Sequence, residues 1–125
     1  MLTVDVVLTG CENTGNADGS RLVHLPFVGR AIGERFTGEI QPGAADDQIH
    51  RNGQMESATA DYVIKGQDGT GADCAVHVVN RFFMGRWKPT VTTDSEALAF
   101  LNGADCAAVL EHRLQGPIIH IFAKR

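Results

Sequence analysis

Two adjacent carboxylates, Asp46 and Asp47, follow the turn pair Pro42-Gly43. In an extended segment neighbouring side chains face opposite ways, so at most one of the two can point inward. A buried aspartate here would serve as a general base. The competing reading is a turn aspartate bonded to nearby backbone amides. Tyr62 shares a strand face with Ala58, Ala60 and Ile64, and Asn80 shares one with Val76 and Val78. A polar tip on an apolar face needs a partner once buried. These two tips can partner each other, or hold a ligand carbonyl or phenol, with Arg81 beside them as a further ligand-binding candidate. His120 and Glu111 form a third constellation. Set opposite each other in a hairpin, they make either an imidazole oriented by a carboxylate, usable in acid–base work, or a modest cross-strand ion pair.

Other chemistries find no foothold. Cys74 and His77 have a C-x-x-H spacing, but on a strand they lie on opposite faces and cannot chelate one ion, so no metal and no cofactor are expected. No serine sits in a G-x-S-x-G turn, and no cysteine has a recognisable histidine partner. The glycine-rich tract Gly66 to Gly71 lacks the lysine and the strand–loop–helix setting of a phosphate loop.

Strands must position these residues. Leu2, Val4, Val6 and Leu8 alternate with polar residues, the period of a first strand. Cys11 to Ser20 reads as a mobile loop, and Arg21 to Val28 as a strand that Pro26 places at an edge or a bend. Phe36 to Ile40 is a short strand stopped by Pro42-Gly43. Asn52-Gly53 is the strongest hairpin signal. It leads into a strand from Met55 to Lys65, the turn Gly66 to Gly71 and a strand from Cys74 to Phe83, so residues 48 to 83 form a meander. Thr93 and Glu96 fit a capping box for one short helix near 94–102, with Gly103 as its stop. The last hairpin runs from Ala107 to Leu114 and Pro117 to Ala123. A two-residue turn at Gln115-Gly116 pairs Glu111 with His120, and puts Ala108, Leu110, His112, Leu114, Ile119, Ile121 and Ala123 on the core face. The apolar cluster Phe82, Phe83, Met84 and Trp87 is divided between plugging the barrel and an exposed flap or subunit contact.

The expected architecture is mainly β: a single closed or nearly closed antiparallel barrel of about eight or nine strands over residues 1–125. Composition agrees. The chain has 125 residues, 14 glycines, 43% hydrophobic and 21% charged residues, which excludes a disordered tail, a collagen or a coiled coil. Its formal charge of −4, with eleven Lys and Arg scattered and only Lys124-Arg125 adjacent, argues against a nucleic-acid partner. No apolar run suits a membrane span, and the start Met1-Leu2-Thr3-Val4-Asp5 does not read as a signal peptide. Three cysteines without a C-x-x-C spacing lead us to expect free thiols and a cytoplasmic location.

The middle of the chain carries a resemblance. Gly38-Glu39-Ile40-Gln41-Pro42-Gly43-Ala44-Ala45-Asp46 resembles the segment G-x-x-x-P-G-G-A-D of uncharacterised protein family 0311, or domain of unknown function 3237. Asn52-Gly53, Ala60-Asp61-Tyr62, Asp68-Gly69, a strand ending in Asn80-Arg81, and Leu101-Asn102 follow in the family's order, over about residues 20 to 123. The departures are Ala44 for a second glycine, Asp47 for an aromatic, and Phe82 for a glycine, positions at which a pocket rim and its ligand would differ. The resemblance implies a lipocalin-like barrel and a homo-oligomer, and favours Asp46 over Asp47 as the inward carboxylate. It implies no settled activity.

Three functions fit this picture. The first is a barrel binding a small, largely apolar or aromatic, oxygen-bearing molecule through Tyr62, Asn80, Arg81 and Asp46. The second is a cofactor-free isomerase, lyase or cyclase, with Asp46, or His120 and Glu111, moving a proton. The third is a structural subunit of a homo-oligomer. An inward carboxylate of shifted pKa marks the enzyme, a cavity of apolar groups and donors alone marks the binder, and a filled lumen marks the subunit.

Overall fold

Alternation of apolar and polar residues sets the strands, and a run of two-residue turns folds them back on one another. The computed structural model describes residues 2–124; Met1 and Arg125, and with them the start of the chain and half of the terminal basic pair, lie outside the described residues. The strands are β1 (Leu2–Leu8), β2 (Glu12–Gly15), β3 (Arg21–Ile32), β4 (Phe36–Ile40), β5 (Ala45–Arg51), β6 (Gln54–Asp68), β7 (Asp73–Phe83), β8 (Arg86–Thr93), β9 (Cys106–Glu111) and β10 (Ile118–Ala123). They form one 10-stranded sheet in the order β8-β7-β6-β4-β3-β1-β10-β9, with β2 paired to β3 and β5 paired to both β3 and β6. All its ladders are antiparallel. The terminal strands β8 and β9 lie side by side, and an ion pair from Lys88 to Asp105 at 3.6 Å spans their edges, so the sheet curls into a barrel-like cylinder.

The strand number exceeds the sequence expectation for a definite reason. β4 and β5 both run antiparallel to the same two neighbours, β3 and β6, and so lie end to end as one interrupted strand. The interruption is Pro42-Gly43, where Gly43 takes a left-handed φ of 96°. β2 was expected to be part of a loop; instead Glu12–Gly15 pair with Arg21–His24 as a hairpin arm outside the main path. The meander from 48 to 83 is as expected, with Asn52 (φ 55°) and Gly53 (φ 77°) at its first turn. Met84 (φ 52°) and Gly85 (φ 79°) make a second tight turn into β8, which the sequence did not announce.

The expected helix is absent. Only Ala99–Leu101 form a single 3-10 turn. Thr93 is the end of β8: its hydroxyl donates to the Ala75 carbonyl (2.7 Å), which holds it in the sheet, and accepts from the Ser95 amide (3.2 Å) in a local turn that no helix follows. The Asn102 side chain then bonds the Thr93 backbone in both directions, at 2.8 and 3.1 Å, which ties the segment into a closed loop too short for a helix. Gly103 does end it, at φ 76°.

This loop closes one end of the barrel. Leu98 and Leu101 pack with Phe36, Val76, Val91 and Ile121, and Tyr62, Ile64, Val4 and Val78 fill the adjoining interior. Each such side chain contributes about 1.5–3 kcal/mol on burial. Asp68 anchors the closure: its carboxylate accepts from the Ser95 hydroxyl (2.7 Å) and from the amides of Thr70 (2.9 Å) and Ala72 (3.3 Å), besides the Thr70 hydroxyl. These bonds, that from the Thr70 hydroxyl foremost, pull its pKa from the ordinary 3.8 to about 2. A carboxylate depressed in the folded state stabilises fully above its unfolded pKa and loses that contribution as pH falls. The thermal stability of the wild type should therefore fall between about pH 4 and pH 2. Asp68→Asn should be less stable at neutral pH and flatter across that window, and an unchanged pH profile would show that Asp68 is not the anchor.

The final hairpin also differs from expectation. Its connection is longer than Gln115-Gly116, so Glu111 pairs with Ile118 and His120 with Val109. The slip is two residues, an even number, so the faces survive: Ile119 and Ile121 are buried as expected. Leu114, expected on the core face, instead sits in the connection at 102% exposure.

Candidate functional site

The end of the barrel opposite the 3-10 turn is hollow. A cavity of about 480 Å³ opens there, walled by apolar side chains that include Leu25, Phe27, Phe82, Trp87, Leu110 and Ile119. The inward row across the sheet reads Leu25, Asp46, Ala60, Asn80, Pro89, each opposite the next in the ladders of β3, β5, β6, β7 and β8. Ala60 helps leave room: it places only a methyl group between the two polar residues, and all three line the cavity.

Asp46 and Asp47 divide as strand geometry requires. Asp46 faces the cavity, whereas Asp47 faces out and pairs with His24. Asp46 is a strand residue, not a turn aspartate. Its Oδ2 accepts from the Gln48 side-chain amide at 2.8 Å, and the Gln48 carbonyl oxygen meets His50 Nε2 at 2.8 Å. Since that oxygen can only accept, His50 carries a proton on Nε2. Asp46 Oδ1 is buried without a partner. Burial raises the Asp46 pKa above the ordinary carboxylate value, opposed by the Gln48 hydrogen bond.

Asn80 is 1% exposed, and both atoms of its amide lack a partner. Tyr62 is 2% exposed, and its hydroxyl also lacks a partner. The two residues therefore do not satisfy each other. Tyr62 lies one step deeper, opposite Val78 and with its ring edge-on to Phe27 at 5.3 Å and 76°; it is absent from the lining of the open cavity. Burial pushes its phenol far above the usual range, so it stays a donor at physiological pH.

Other candidates lie elsewhere. Arg81 is exposed on the outer face of β7, because it follows inward-facing Asn80 by one residue. His120 and Glu111 do approach, at 3.4 Å, but on the outer face of β10 and β9, where His120 also meets Thr3 Oγ1 at 3.3 Å. They stand outside the cavity and act there as a cross-strand pair. Cys74 is buried inside, and His77 on the other face pairs with Asp61 at 2.7 Å. The aromatic cluster divides as its sequence suggested: Phe82 and Trp87 line the cavity with ring centres 5.1 Å apart, while Phe83 and Met84 are 65% and 83% exposed.

The sequence reading missed Gln48, Met55 and the rim residue Arg113 as lining of the cavity, whereas His112, expected on the core face, does line it. Period two from Asp46 would have put Gln48 and His50 on its face. The rim has no such signal, since Arg113 reaches it through the turn and is held there by Asp5 and by the carbonyls of Gly116 (2.9 Å) and Val6 (3.1 Å).

The molecule is thus a β-barrel closed at one end, with an apolar chamber at the other and unpartnered polar groups at and beneath its floor. No family model and no curated protein matches the chain. Solved structures do resemble it. A protein of unknown function from Clostridium acetobutylicum ATCC 824 is 17% identical, with 96% of this chain and 91% of that one covered and a TM-score of 0.79. A β-barrel-like protein from Acinetobacter baumannii AYE is 16% identical, with 98% and 92% covered and a TM-score of 0.72. An enzyme from Penicillium herquei is 14% identical, with 98% and 91% covered and a TM-score of 0.69. At these identities the likeness is one of fold. Among the described residues no helix is long and apolar enough to cross a membrane.

Proposed function

We propose that the protein binds a small, largely apolar or aromatic, oxygen-bearing molecule in the open half of its barrel. The observation that carries this is Asn80, whose amide is buried with neither atom paired at the floor of an apolar chamber. An unpartnered buried amide costs about 1–3 kcal/mol, and a ligand carbonyl or hydroxyl would recover that cost. The chamber's volume lies in the usual range for small-molecule sites. A barrel serving only as a structural subunit would have this space filled. Membership of family 0311, a cytoplasmic location and a homo-oligomer with Phe83 and Met84 at a subunit contact belong to the same proposal.

Trp87 is the chain's one tryptophan and lines the chamber, so its emission reports on occupancy. Titration with 2-naphthol, an aromatic ring bearing one hydroxyl, should change that emission saturably. Ala60→Leu, which fills the gap between Asp46 and Asn80, should remove the response while the melting curve stays cooperative. A response that survives Ala60→Leu would place the ligand elsewhere.

A second reading, the cofactor-free isomerase, lyase or cyclase, is favoured by one specific observation. Asp46 is an inward carboxylate whose pKa burial raises, the mark set out above for an enzyme. The likeness in fold to an enzyme from Penicillium herquei agrees with it. His120 and Glu111 have no part in this reading.

A further inference from the structure

We propose that the chamber transfers protons on apolar ketones that carry an acidic C–H beside the carbonyl, with Asp46 Oδ1 as the base and the Asn80 amide as the donor to the carbonyl oxygen. The inference rests on both readings above: it takes the chamber of the first, deepens the second, and adds a substrate class and the atoms that act.

Spacing supports the pairing. Asp46 and Asn80 stand opposite the same residue, Ala60, on either side of β6. Two strand spacings separate their backbones by about 10 Å. Both side chains reach into the concave side and shorten that gap. A substrate C–H and the carbonyl oxygen two bonds away, each within hydrogen-bond reach of its protein partner, fill roughly 8 Å. Ala60 between them presents only a methyl group, so the substrate's C–C=O unit can lie across it.

Hydrogen bonding divides the roles. Gln48 occupies Asp46 Oδ2, and His50 holds Gln48 in turn, so Oδ1 alone is free to take a proton. Gln48 and His50 are positioning residues. On the other side the Asn80 Nδ2 donors have no protein acceptor to compete for them. In the reaction the α C–H bond breaks, its proton passes to Asp46 Oδ1, its electron pair forms a C=C bond, and the C=O π pair moves onto the carbonyl oxygen, which accepts a hydrogen bond from Asn80 Nδ2. Return of the proton from Asp46 to carbon completes the cycle, either at the same carbon or, in a conjugated system, two carbons further on. No oxidant, reductant or second substrate is consumed. A donor aimed at the developing oxyanion in a dry site stabilises it more than water does.

The test uses 2-tetralone in deuterium oxide, with the loss of its α-proton signals followed by NMR, alongside 2-naphthol binding to the same samples. Wild-type protein should speed exchange about 100-fold or more over buffer, the scale of general-base catalysis. Asp46→Asn should return exchange to the buffer rate while its melting curve stays cooperative. Gln48→Leu should lose part of the exchange rate, and Gln48→Asn should keep more of it than Gln48→Leu but less than the wild type because its amide is shorter. Binding of 2-naphthol without exchange by the wild type would overturn the proton-transfer inference and leave the binding reading standing. Absence of both would overturn the two together. Exchange that persists in Asp46→Asn, with its melting curve cooperative, would overturn the role of Asp46.

Discussion

Gly66→Ala should cost the barrel about 3 kcal/mol or more, the upper range for overpacking, and lower its melting temperature by on the order of 10 °C. Gly66 lies opposite Gly38 where β6 crosses β4. A β-carbon at Gly66 would stand 1.9 Å from the Thr37 carbonyl oxygen and 2.4 Å from the Gly38 α-carbon. Both obstacles are backbone, so no rotamer change relieves them. Relief requires β4 to move away and give up its ladder from Phe36 to Ile40, and with it the packing of Phe36 at the closed end. Gly53→Ala is the control. It has open space around it but a left-handed φ of 77°, so it should cost only about 1 kcal/mol. Differential scanning calorimetry of the two variants separates the cases, and equal shifts would mean that β4 and β6 do not approach this closely.

Asn80→Leu should move stability the other way. Removing both unpaired atoms and supplying an apolar side chain of similar size should stabilise the protein by about 1–3 kcal/mol, while abolishing the 2-naphthol response. A single variant that gains stability and loses its ligand would identify Asn80 as a residue kept for function at a cost to the fold. Paired melting and fluorescence measurements check it. Loss of stability in Asn80→Leu would show that the amide is already satisfied, and the ligand-binding reading would lose the observation that carries it.

Much of this arrangement was legible beforehand. Tyr62 and Asn80 were singled out by strand period, since alternation assigns each residue to a face whatever its neighbours turn out to be; period also showed that only one of Asp46 and Asp47 could face inward, and the family resemblance favoured Asp46. The hairpin at Asn52-Gly53 and the stop at Pro42-Gly43 were visible because these residues permit backbone angles that others resist. The errors came where local signals competed with distant ones. Thr93 and Glu96 have the types and spacing of a helix cap, but the Thr93 hydroxyl donates to the carbonyl of Ala75, 18 positions away, which holds Thr93 in β8. His120 and Glu111 do meet, though through a register set by a longer connection, and on the outside of the cylinder. Arg81 is adjacent to Asn80 in sequence and opposite to it in space.

Sequence alone determined that this chain forms antiparallel strands, where most of them turn, and which residues share a face, because these depend on angles and alternation within a few residues. Only the tertiary structure decided which face became the inside, that β4 and β5 share one place in the wall, and that one end is packed while the other is empty. Those outcomes depend on how side chains from strands far apart in the chain fill a common volume. At the closed end Phe36, Tyr62 and Ile64 meet Val76 and Val91 and leave little space; at the other, Ala58 and Ala60 are too small to reach across.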